Sequence, residues 1–288
     1  ATEKAALDAG EVWWDAELFS GRPNWNELLK TPKAELTAEE KKFIQEDTEA
    51  LCAMLADWSI QKQGDLPQEV WQYLKDRGFF GLIIPKAFGG KELSPYAQSQ
   101  VIARLATRNV AAMVTVMVPN SLGPGELLMK YGTKQQQDHY LPRLASGEEI
   151  PCFALTGPEA GSDAAATLSR GVVCKRTIDG KEVLGMLINW DKRYITLSPI
   201  ATLIGLAFDL HDPDILLGEN KHPGITCALI PRDTEGVEIG QRHDPLGSPF
   251  FNGPTRGKDV LVPIDTIIGG AEKAGTGWNM LMDCLSAG

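Results

Sequence analysis

Apolar residues recur at helical spacing over the first half of the chain and in short strand-like runs over the second. From Thr37 onward Phe43, Ile44, Leu51, Leu55 and Trp58 follow a 3.6-residue period, and Thr37-x-x-Glu40 ahead of them has the form of a capping box, so the spacing predicts a helix over 37–63. Pro67 in a first turn, the face Val70, Trp71 and Leu74, and Gly78 as a stop predict a second helix. Ser94-Pro95 opens a third around Val101, Ile102 and Leu105. Residues 124–131 and 133–144 predict two more, the last capped by Thr133-x-x-Gln136.

After Gly147 the period changes. Strand-like runs occupy 152–156, 172–178, 181–187, 194–197, 201–208, 224–230, 236–240 and 259–262, and Asp179-Gly180 suits a tight hairpin between the second and third. Residues 278–285 turn helical again. This order predicts an α+β chain: an N-terminal helical domain, an antiparallel β-barrel or sandwich domain, and the first helix of a C-terminal helical bundle. The expected boundaries are 1–35 for a Trp-rich arm, 36–149, 150–268 and 269–288. The arm carries Trp13, Trp14 and Trp25 among turn formers such as Gly21 and Pro23; it either packs its aromatics on the main body or docks another chain or a membrane surface.

Composition narrows the class. With 288 residues, 43% hydrophobic and 23% charged, the chain reads as globular, not as a disordered, collagen-like or coiled-coil sequence. A net charge of −10 with Lys and Arg scattered argues against nucleic acid, which requires a concentrated positive surface. The longest apolar stretches, 110–118 and 200–208, fall short of the roughly 20 residues that span a bilayer, so a soluble chain is expected. It begins at Ala1 with no signal-peptide pattern, which leaves a preceding segment open. Cys52, Cys152, Cys174, Cys227 and Cys284 form no Cys-x-x-Cys pair and read as reduced thiols of a cytoplasmic protein. His139, His211, His222 and His243 show no ligand spacing and read as surface or loop residues, so no metal site is expected.

The stretch with most chemical content is Phe153-Ala-Leu-Thr-Gly-Pro-Glu-Ala-Gly-Ser-Asp163, just past the change from helix to strand. A strand running into small residues forms either an anion-binding nest of backbone N–H groups or an ordinary Gly-Pro turn. It is neither a Walker loop nor a Gly-x-Ser-x-Gly elbow, so Ser162 is a poor nucleophile. Helices followed by this segment and by Tyr194-Ile-Thr196 resemble the acyl-CoA dehydrogenase family of flavoproteins. Leu82-Ile-Ile-Pro-Lys-Ala-Phe-Gly-Gly90, Tyr131-Gly-Thr, Leu141-Pro-Arg-Leu-Ala-Ser-Gly147, Leu246-Gly247, Thr255-Arg-Gly257 and Gly275-Thr-Gly-Trp278 agree in order, over roughly 36–288. Trp13-Trp-Asp-Ala-Glu-Leu-Phe-Ser-Gly21 further resembles the long bacterial members that start fatty-acid β-oxidation.

The resemblance implies FAD. Phe153, the backbone of Leu155 and the Thr156 hydroxyl would lie along the flavin, Gly161 and Ser162 would hold its pyrophosphate, Tyr194 would cover the isoalloxazine and Thr196 would reach the N5 region. The family's usual Trp is Tyr194 here and its usual Glu after the threonine is Gly157. Val114, Thr115, Val118 and Leu122 would line the acyl chain, with Ser162 also on the substrate side. Two valines where medium-chain relatives carry Gln and Glu suit a longer chain, or simply a helix in the core.

The implied reaction is α,β-dehydrogenation of a long-chain fatty acyl-CoA to the trans-2-enoyl-CoA, with an electron-transfer flavoprotein as acceptor and a homo-oligomeric full-length protein. The family's base is a Glu of the C-terminal domain, expected beyond Gly288, so no catalytic residue is nominated and the chain alone is expected to be inactive; Glu159 in the flavin loop is expected to face solvent. Location is expected to be cytoplasmic, with peripheral association to the inner membrane left open. A same-fold oxidase or flavin monooxygenase and a non-catalytic acyl-CoA or partner-binding fragment remain as alternatives.

Overall fold

The start signals at Ser94 and Thr133 translate into capped helices. The computed structural model describes residues 18, 21–30, 32–121, 123–178 and 180–287, and the chain divides into two units, 1–37 and 38–288. In the first, α1 (Trp25–Lys30) buries none of its residues; Trp13 and Trp14 lie outside the described residues.

In the second unit the helix predicted over 37–63 is interrupted. The chain winds from α2 (Ala38–Lys42) through a π-helical segment (Phe43–Thr48) into α3 (Glu49–Met54), and breaks at Leu55 and Ala56, with ψ of 88° and 84°, before α4 (Asp57–Gln63). Two side chains account for this. The Thr48 hydroxyl donates to the Phe43 carbonyl five residues back (3.2 Å), holding the wide turn, and Asn109 Nδ2 donates to Asp57 Oδ1 (2.8 Å), fixing the restart. The helical phase is lost at the break, and Trp58, predicted on the apolar face, is exposed.

α5 (Gln68–Asp76) follows Pro67 and stops at Gly78, whose φ of 74° is a conformation that glycine adopts without strain. α6 (Pro95–Ala106) and α7 (Val110–Met117) are capped by Ser94 and Asn109, whose side-chain oxygens accept from Ala97 and Ala112 N–H. α8 (Pro124–Tyr131) leads to α9 (Lys134–Ser146), where Thr133 and Gln136 close the reciprocal capping box.

Among the described residues seven strands form one sheet: β1 (Pro151–Ala154), β2 (Arg170–Ile178), β3 (Lys181–Thr196), β4 (Leu203–His211), β5 (Gly224–Pro231), β6 (Val237–Ile239) and β7 (Asn252–Pro263). The order is β1-β4-β2-β3-β7-β6, with β5 also on β4. The helical-then-β architecture is as predicted, but the sheet is mixed, because β1 and β2 both run parallel to β4. Parallel neighbours need a long crossover, and the whole β2–β3 hairpin lies between β1 and β4. That hairpin pairs Ile178 with Lys181, the two-residue spacing predicted, although Asp179 itself is not among the described residues.

β4 is buried on both faces, as its unbroken apolar run requires. Ile204, Leu206, Phe208 and Leu210 join Val114 and Val118 of the helical part in one core; Leu203 and Ala207 join Leu127, Leu128, Leu141 and Leu144 in another, which also receives Met280 and Leu281 of α10 (Gly277–Ala287). No helix of the described residues is long and apolar enough to cross a membrane.

Candidate functional site

β1 enters the sheet beside β4 and hands the chain to the loop that carries the predicted flavin residues. Phe153 stands opposite Gly205, and a Cβ at 205 would come within 2.7 Å of the Phe153 ring and 3.0 Å of Pro124, so glycine there admits the ring between sheet and α8. The loop is held from β3. Lys192 is fully buried, and its ammonium donates to the Leu155 carbonyl (2.7 Å) and to Thr167 Oγ1 (2.9 Å), stapling the two ends of the loop together. Burial pushes this amine down from 10.5 to about 8, because neutral oxygens replace its hydration without supplying a counter-charge.

Arg193 continues the staple. Its N–H donates to the Thr156 carbonyl (3.0 Å) and its Nη2 to the Pro158 carbonyl (2.6 Å), while its Nε is buried with no hydrogen-bond partner among the described residues. Between these anchors the loop turns tightly, with Gly157 N–H reaching Ala160 O (3.3 Å). Gly161 is exposed, its φ lies outside the left-handed region, and an added Cβ would meet nothing within 4 Å. Neither backbone conformation nor packing within the chain therefore requires glycine at that position. Ser162 is exposed beside it, and Glu159 faces solvent as expected.

At the end of β3 the backbone is irregular. The register with β7 slips between Lys192 and Ile195, and Tyr194 and Leu197 adopt φ of 61° and 66°, rare for side chains of their size. The bulge turns the Tyr194 ring outward, 59% exposed, where the Arg193 guanidinium lies 5.1 Å over it and His243 5.3 Å away. Asn252 on β7 holds the strained turn: its Nδ2 donates to the Tyr194 carbonyl (3.0 Å) and Thr196 Oγ1 (3.3 Å), and its Oδ1 meets His243 Nδ1 (2.9 Å).

These contacts bring Leu155, Thr156, Tyr194 and Thr196 to one end of the sheet, with Phe153 on the preceding strand and Gly161 and Ser162 on the loop outside. The acyl-chain set lies elsewhere in the packing. Val114 and Val118 are buried in the core with Trp190, Ile195 and Phe251, and the buried Thr115 hydroxyl donates to the Ala111 carbonyl in its own helix (2.7 Å). Leu122 lies outside the described residues. A cleft of about 410 Å³ runs along the same loop between Pro158, Leu168, Asn189 and Trp190, and none of the seven predicted flavin residues lines it.

Sequence reasoning passed over Lys192, Arg193, Asn252 and His243. A signal for Lys192 needs the strand to run through 188–193, where the apolar pattern shows none: there it lies two residues from Trp190 and points to the same, inward face. Asn252 and His243 carry no such signal, since they reach Tyr194 only through the pairing of β3 with β7.

Comparison with known proteins follows this geometry. The acyl-CoA dehydrogenase N-terminal domain family matches residues 34–148 and the acyl-CoA dehydrogenase middle domain family residues 152–260. The mitochondrial isobutyryl-CoA dehydrogenase of Dictyostelium discoideum is 28% identical over 280 residues, 94% of this chain and 62% of that protein. The mitochondrial very long-chain specific acyl-CoA dehydrogenase of Homo sapiens is 26% identical over 298 aligned positions, 100% of this chain and 43% of that protein. Among solved structures, the butyryl-CoA dehydrogenase of Megasphaera elsdenii superposes with a TM-score of 0.74 at 19% identity, covering 89% of this chain and 64% of that one. The chain thus spans about half the length of the curated relatives it matches.

Proposed function

The chain belongs to the acyl-CoA dehydrogenase family, and from that premise we propose that it forms the FAD-binding part of an enzyme that dehydrogenates a long-chain fatty acyl-CoA to the trans-2-enoyl-CoA, the first step of fatty-acid β-oxidation. FAD, when bound, supplies the acceptor for the substrate's β-hydrogen. The Leu155 backbone and the Thr156 hydroxyl would hold the polar edge of the flavin, Phe153, Tyr194 and Thr196 would hold its ring system, and Gly161 and Ser162 would hold the pyrophosphate. Lys192 and Arg193 keep the loop open for it by fastening its base to β3.

Gly161 carries the reading. A diphosphate needs approach to backbone N–H groups without a Cβ in the way, and this glycine is required by nothing inside the chain. The exposed Ser162 hydroxyl adds a donor at the same point. Val114, Thr115, Val118 and Leu122 are proposed to set the acyl-chain preference, supported by the apolar side chains of Val114 and Val118. No residue of this chain is nominated as the α-proton base. An electron-transfer flavoprotein is the proposed acceptor.

The test is flavin retention. The chain is mixed with excess FAD, passed through gel filtration and read by visible absorption beside Gly161→Val. The expected result is a retained flavin band for the parent and its loss in Gly161→Val, at an unchanged thermal midpoint. Retention of equal flavin by both would overturn the assignment of the pyrophosphate to Gly161, and retention by neither would overturn the FAD-binding role of this chain.

A further inference from the structure

The end of β4 brings together three side chains of metal-ligating type. Asp209 and His211 are two residues apart on the strand and so project from one face. The connection to β5 then folds back over them. Asp212, fully buried, organises it: its carboxylate accepts from Leu216 N–H (2.9 Å) and Leu217 N–H (2.7 Å), and its own N–H donates to the Lys221 carbonyl (2.8 Å). Asn220 Oδ1 accepts from His222 N–H (3.0 Å), which sets the last histidine. Pairing of Leu210 with Gly224 fixes where the loop must end.

His222 Nε2 consequently lies 2.8 Å and 3.0 Å from the two oxygens of Asp209, and His211 Nε2 lies 2.8 Å from Oδ2. The three ligand-type atoms fall within 4.8 Å of one another. His222 is exposed, while Asp209 and His211 are half-buried, so the outer side of the cluster is open to water. We propose that Asp209, His211 and His222 form a binding site for one divalent ion of borderline softness, Zn²⁺ above all, with water completing its shell. Two imidazoles and a carboxylate match the donor preference of Zn²⁺, whereas Mg²⁺ and Ca²⁺ favour all-oxygen sets. Three protein ligands with a remaining open position are a stable arrangement for this ion.

Entry of the ion carries a geometric consequence. The two imidazoles are stacked, centroids 4.4 Å apart and 16° from parallel. A metal sits in the plane of each ring it binds, so the rings must swing apart; the exposed His222 has room to do so. The ion would tie the 212–223 loop to β4 at three points. Because Asp209 N–H also donates to the Ser169 carbonyl (2.8 Å), the same brace adjoins the start of β2.

The test is calorimetric titration of the 288-residue chain with Zn²⁺ after dialysis against chelator, repeated with His222→Asn, with Asp209→Asn and with His139→Ala on α9 as a control. One equivalent bound by the parent and the control, and lost in the two cluster variants, is expected. His222→Asn replaces an exposed side chain and so leaves folding intact. Titration with Co²⁺ then reads the donor set: weak d–d bands without an intense thiolate charge-transfer band are expected, since no cysteine belongs to the cluster. No binding, equal binding by parent and cluster variants, or a thiolate band would each overturn the site.

Discussion

Lys192 shows how much one buried charge decides. Among the described residues no carboxylate is hydrogen-bonded to its ammonium, and the difference between 10.5 and about 8 corresponds to roughly 3 kcal/mol by which the charged form is disfavoured in the fold. The sign follows from proton counts. Below pH 8 folded and unfolded chains both hold the proton; between about 8 and 10.5 the folded chain has released it while the unfolded chain keeps it, so stability rises with pH across that window. In urea unfolding the parent should therefore gain stability relative to Lys192→Met, which keeps the stem but carries no charge, as pH rises from 8 to 10.5. Equal pH dependence in both would refute the buried, unneutralised state. Lys192 was not legible, because 188–193 falls between the two runs that the period marks as strands, and its partners Leu155 and Thr167 lie 37 and 25 residues away in sequence.

At the scale of elements, local signals read well and second duties did not. The motif Thr133-x-x-Gln136 announced the start of α9, and the capping box is formed. Gln136 does more than cap. Its Nε2 donates to the carbonyls of Asp265 (2.8 Å) and Ile267 (2.7 Å), and its Oε1 accepts from Gly269 N–H (2.9 Å), so a helix start in the helical part is bonded to the segment after β7. Removing one such partner strands buried polar groups, each costing about 1–3 kcal/mol. Gln136→Leu is expected to lower the unfolding free energy by about 3 kcal/mol in urea, against about 1 kcal/mol for Thr133→Ala, which removes only the cap bond. Equal losses would mean that the long-range bonds contribute nothing. β3 was misread for the opposite reason: Asn189, Asp191, Lys192 and Arg193 interrupt its apolar pattern, so one strand looked like two. Those polar residues are placed by the bulge and by the loop they hold, neither of which has a period.

For the whole chain, the change of period near Gly147 located the passage from helices to sheet, and motif order identified the family. The parallel pairing of β1 and β2 with β4 was not legible, because strand direction is set by which neighbours close around β4 and not by composition. Strands β1 and β5, which pair with the buried β4, carry two thiols that are themselves buried, Cys152 and Cys227. Cys152 and Cys227 are pushed up to about 12 by burial, and Cys284 to about 12 by burial first and by Glu126 second. Cys52 is buried and raised for the same first reason. Cys174, on β2, is half-buried and the most accessible of the five. Because the thiolate is the reactive form, a disulfide reagent at neutral pH should find one fast thiol in the native chain and five in guanidinium, and Cys174→Ser should abolish the fast phase. If a fast phase survived that substitution, its thiol would reveal which face opens. Cys284 would report separation of α10 from α8, where its sulfur meets Glu126 Oε2 (3.9 Å), whereas Cys227 would report lifting of α10 from β5, where its sulfur meets Gly277 O (3.8 Å).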